Sequence, residues 1–67
     1  MQNFQVIHDG RIYLVEGGDP AELQQRITET IRSGGGFVTF DAAADYDTDG
    51  PVSIFVSSAK TAHIVLV

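Results

Sequence analysis

The chain has 67 residues, with nine Asp and Glu against four Lys and Arg, for a formal net charge of −5. One domain spanning residues 1–67 is all that this length can supply with an interior. Arg11, Arg26, Arg32 and Lys60 are scattered, which excludes the positive footprint needed for nucleic acid or an anionic membrane, and the absence of cysteine excludes disulfides, thiolate metal sites and thiol nucleophiles.

Phe4 to His8 and Arg11 to Val15 read as two strands. Asp9-Gly10 between them is the two-residue signal of a type I′ hairpin, because glycine accepts positive φ without a steric penalty. Glu16-Gly17-Gly18 breaks the second strand. Asp19 then offers a side-chain cap, Pro20 suits the first helical position, and Glu22 stands where a capping box places its acid. The helix is predicted from Pro20 to Ser33, with Gly34 in the left-handed position beyond its end. Leu23, Ile27 and Ile31 form one apolar stripe on it, and polar residues cover the rest.

Phe37 to Asp41, Val52 to Ser58 and His63 to Val67 read as three further strands. Asp41 to Pro51 reads as a long acidic connection, and Ser58 to Ala62 as a turn. The order ββαβββ with one helix implies an α+β, two-layer sandwich: one helix on one face of a mainly antiparallel five-stranded sheet. The longest apolar run, Ile64 to Val67, is far short of the roughly 20 residues of a membrane helix. Met1-Gln2-Asn3-Phe4 has no signal-peptide pattern, so a cytoplasmic location is expected.

Of the 20 Val, Ile, Leu and Phe residues, only three lie on the helix. The strands carry apolar residues on both faces: Ile12 and Leu14 against Tyr13 and Val15, Val38 and Phe40 against Phe37, Ile54 and Val56 against Phe55. One helix covers one face. Leaving the other in water forgoes roughly 1.5–3 kcal/mol per large side chain, so the helix-free face is expected to meet a second copy, unless the sheet curls on itself. Val6, Tyr13, Phe37 and Phe55 are the candidate interface residues.

Asp45-Tyr46-Asp47-Thr48-Asp49-Gly50 matches the first six positions of a calcium loop, with Asp45, Asp47 and Asp49 as ligands. The twelfth position is Val56 instead of Glu, and strands flank the segment, which argues against an EF-hand. A weak calcium site is the alternative; a solvated acidic turn is the preferred reading. His8 and His63 stand at strand ends and can meet if the first and fifth strands pair, which would offer two zinc ligands beside Asp9 or Asp41. Ser57 or Ser58, His63 and Asp41 can be drawn as a triad, but no nucleophile elbow accompanies them. Gly17-Gly18 precedes a helix start, yet Glu16, Asp19 and Glu22 surround it and repel an anion.

The opening Met1 to Phe4, the turn at Gly10, the strand to Glu16, the capped helix and the closing Ala62 to Val67 resemble ubiquitin-like β-grasp proteins over about half the chain. That resemblance implies a last strand lying centrally and parallel to the first. It implies no conjugation, because the Gly-Gly tail is missing. Gly36 to Phe40, Gly50 and Val52 to Val56 also resemble short uncharacterised actinobacterial domains, which carries no activity with it. The sequence therefore points to a non-enzymatic, cofactor-free, self-associating module, expected as a homodimer, that binds a further protein of unknown identity.

Overall fold

The computed structural model describes residues 2–45 and 48–67, with the side chains of 44, 45, 48 and 49 excluded. One helix and antiparallel strands in two sheets form a small α+β fold. The elements are β1 (Gln2–His8), β2 (Arg11–Gly18), α1 (Pro20–Arg32), β3 (Gly36–Asp45), β4 (Thr48–Val56) and β5 (His63–Leu66).

Local chemistry sets the ends of these elements. Asp9 and Gly10 both have positive φ, 52° and 78°, as a type I′ turn requires, and His8 faces Arg11 across it. The Asp19 carboxylate accepts from the amides of Ala21 and Glu22 at 3.1 and 3.2 Å, which satisfies donors the helix leaves free. At the other end the Gly34 amide bonds the Ile31 carbonyl and the Gly35 amide bonds the Thr30 carbonyl, both at 3.0 Å. With Gly34 at φ 101°, this is a Schellman closure, and a side chain at Gly34 would strain it.

The strands form a three-stranded sheet in the order β2-β1-β5 and a two-stranded sheet β3-β4. This corrects the expectation of a single five-stranded sheet. The physical reason is the core. Phe4 and Val6 of β1, Val15 of β2, Val38, Phe40 and Ala42 of β3, Ile54 and Val56 of β4, and Leu23 and Ile27 of α1 are all buried in one cluster. One flat sheet under one helix offers a single face to that cluster. Here β2 and β3 lie side by side where the two sheets meet, and the helix packs against β3, β4 and β5 over the shared cluster. Between β2 and β3 no ladder forms; instead Arg26 of α1 donates to the Thr39 carbonyl of β3 at 2.6 Å.

Two further expectations change. The segment from Asp41 to Pro51 is largely strand: β3 and β4 stay in register from Gly36 opposite Val56 to Ala42 opposite Gly50, and Asp45 pairs with Thr48 past an irregularity. The last strand is neither central nor parallel to the first. β5 lies at a sheet edge and runs antiparallel to β1, with His63 opposite Ile7 and Leu66 opposite Phe4. Its direction follows from its entry point. The β4–β5 connection ends beside the far end of β1, where Lys60 and Asp9 form an exposed ion pair at 3.5 Å, so β5 starts there and runs back.

Ile27 has no exposed surface, whereas Ile12 is 61% exposed. Replacing Ile27 with Ala should cost about 2–5 kcal/mol through lost burial and a residual cavity, close to the whole margin of about 3–5 kcal/mol of a domain this small. Ile12→Ala should stay within about 0.5 kcal/mol. Urea denaturation of the two variants checks the contrast.

Candidate functional site

Alternation along each strand decides what faces out. In β1, Phe4 and Val6 point into the core and Gln5 and Ile7 point away; in β2, Tyr13 and Val15 point in and Ile12 and Leu14 away. Across the ladders Ile7 stands between Ile12 and His63, and Gln5 between Leu14 and Val65. Gln5, Ile7, Ile12, Leu14, His63 and Val65 therefore share the outer side of the three-stranded sheet. None of the six is Asp, Glu, Lys or Arg. This is the helix-free face of that sheet.

Two of the four expected interface residues consequently move indoors. Val6 is fully buried, and Tyr13 packs edge-on against Phe40, with ring centroids 5.6 Å apart. Tyr13 and Val15 face the core although Ile12 and Leu14 are the more apolar pair, and a shift of one residue reverses every side chain. Phe37 and Phe55 do lie on an outer surface. They face each other across β3 and β4, their rings in a T-shaped contact at 5.5 Å, and Phe37 is 71% exposed. Behind them Thr39 and Ser53 share a hydroxyl hydrogen bond of 2.8 Å. Ile7, Ile12, Leu14 and Val65 escaped the sequence reading; the signal available was the Ile12/Leu14 alternation, which the competing Tyr13/Val15 pair masked.

The other constellations come apart. β1 and β5 do pair, but His63 stands opposite Ile7 and so on the outer face, while His8 shares the parity of Val6. His8 donates from Nε2 to the Phe55 carbonyl at 2.7 Å, tying the end of β1 to β4. The imidazoles thus occupy opposite faces and cannot share an ion. Asp41 lies opposite Pro51 on the other sheet, and the Ser57 hydroxyl accepts from the Lys60 amide at 3.2 Å, so the drawn triad is not assembled. The amide of Gly17 is occupied by the Asn3 side chain at 3.1 Å. Asp45, Asp47 and Asp49 lie outside the residues whose side chains are described; among the described residues no group of three or more His, Asp or Glu is placed to hold a metal ion.

A cleft of about 300 Å³ opens between the end of β2, the start of α1 and β3. Its floor is Phe4, Val15, Leu23 and Phe40, and Glu16, Asp19, Glu22, Asp41 and Arg26 stand round it. Comparisons with protein-family models, curated proteins and solved structures find no match. Among the described residues no helix is long and apolar enough to cross a membrane.

Gly18 forms part of the cleft wall because a Cβ there would sit 2.9 Å from the Phe4 ring and 3.0 Å from a Val15 methyl. Phe4 is 1% exposed and cannot withdraw. Gly18→Ala should destabilise by about 1–3 kcal/mol through overpacking, measured by thermal or urea unfolding; an unchanged midpoint would contradict the tight contact.

Proposed function

We propose that the chain is a non-enzymatic, self-associating protein-binding module, in its simplest form a homodimer with a further protein as partner. The observation that carries this reading is the apolar surface of the three-stranded sheet: the exposed, uncharged β5 edge suits a second copy, and the outer side suits the further protein. Ile12 and Val65 lie well exposed there, and Leu66 on its rim is 59% exposed. Full burial of each such side chain is worth roughly 1.5–3 kcal/mol, and exposed apolar patches of this kind mark contact surfaces.

Charge supports the same reading. Two copies each carrying −5 repel one another at long range, so they meet favourably only where carboxylates are absent, as on β5. Binding is favoured over catalysis because Ser57, His63 and Asp41 are held on separate surfaces and the cleft is ringed mainly by carboxylates. A reducing, cytoplasmic setting suits a chain without cysteine.

Interface size sets the expected strength. A standard interface takes ~800 Å² from each partner, about a fifth of the protomer's accessible surface of 4421 Å². A small sheet supplies that much only with its rim, so the dimer should form and dissociate with concentration. Sedimentation equilibrium should show a mass rising towards twice 7.2 kDa as the protein is concentrated. A constant 7.2 kDa at the highest attainable concentration overturns the reading.

A further inference from the structure

Resting on the self-association just proposed, the question is how two copies join. The two sheets leave four strand edges without a ladder partner: β2 and β5 in one sheet, β3 and β4 in the other. An open edge is a template for another strand, and proteins blunt it with charges, prolines, bulges or a covering group.

Three of the four edges are blunted here. β2 carries Arg11 and Glu16, and its pairing with β1 is interrupted by a register shift near Gly17. β3 has its Thr39 carbonyl taken by the Arg26 guanidinium at 2.6 Å. β4 has its Phe55 carbonyl taken by His8 at 2.7 Å and contains Pro51. β5 has no charge, proline or bulge. Its sequence is His-Ile-Val-Leu, its pairing with β1 runs without a break, and among the described residues no side chain hydrogen-bonds to it.

We infer that β5 is the assembly edge, and that its occupant is the β5 strand of a second copy, antiparallel across a two-fold axis. The joined sheet runs β2-β1-β5-β5-β1-β2 through both protomers. Charge selects the occupant. Antiparallel self-pairing sets the residues of one strand against those of its copy, and an edge strand without charges brings no charged side chain into that seam. β2 has Arg11 and Glu16, β3 has Asp41 and Asp45, and β4 has Asp49; β5 alone among the edge strands has no Asp, Glu, Lys or Arg. A foreign partner of this acidic chain would be steered by carboxylates through charge complementarity, and this edge has none to offer. Copies with the same negative charge need an edge of this kind.

Two variants separate edge joining from stacking of the outer faces. Leu66 stands at the edge with the parity of Phe4, off the outer face; Ile12 stands on the outer face in β2, two strands from the β5 edge. Both are well exposed, so lysine at either leaves the fold intact, as circular dichroism verifies. In sedimentation equilibrium, Leu66→Lys should weaken dimerisation by about tenfold or more, since it places a charge on the pairing edge, while Ile12→Lys leaves it within about threefold. Hydrogen exchange of the wild-type amides in Ile64–Leu66 should slow on concentrating the protein. The inference is overturned if Leu66→Lys still dimerises like wild type, or if those amides exchange at the same rate in dilute and concentrated samples, whatever the variants do. A wild-type chain that stays monomeric removes the self-association reading itself; a wild-type dimer with an unprotected β5 removes only the edge.

Discussion

A single shared interior governs this molecule. Phe4, Val6, Ile27 and Val56 are almost wholly removed from solvent, and they come from β1, α1 and β4. A chain of this length has material for one core and no disulfide to support it. Every element must therefore turn an apolar side to the same place. The division of the strands into two sheets, the position of the helix and the bond from Arg26 to Thr39 all follow from that requirement.

Local signals were legible in the sequence because their physics is local. Asp9-Gly10 forms its turn, Asp19 caps the helix and Gly34 closes it, each by chemistry confined to a few neighbouring residues. The pairing of β1 with β5 was anticipated as a possibility, but not its consequence. Antiparallel register puts His63 beside Ile7 instead of His8, and that one-residue offset sends the two imidazoles to opposite faces.

Face assignment was the weak point, and β2 shows why. Ile12 and Leu14 are the more apolar set, yet Tyr13 and Val15 face the core, where Tyr13 docks against Phe40 from another sheet. The acidic stretch after Phe40 misled for a related reason. Aspartate disfavours strands on average, yet the ladder from Phe40 and Val52 to Ala42 and Gly50 carries the pairing onward, since the two strands are already held side by side by Phe37–Phe55 and Thr39–Ser53. The expected imbalance between apolar supply and helical cover is met in part by the one cluster to which every element contributes, and what it leaves outside is concentrated on two sheet faces and one rim.

The pairing of β1 with β5 also orders events in time. β1–β2 and β3–β4 are hairpins between neighbours in sequence, and α1 is a local helix. β5 must find a strand from the opposite end of the chain, a closure that is entropically slower than either hairpin. The three-stranded sheet is thus the last part to be completed. Until it is, the strand at the centre of the finished sheet has one flank bare, and the newly made chain is most vulnerable to capture by its neighbours during that interval.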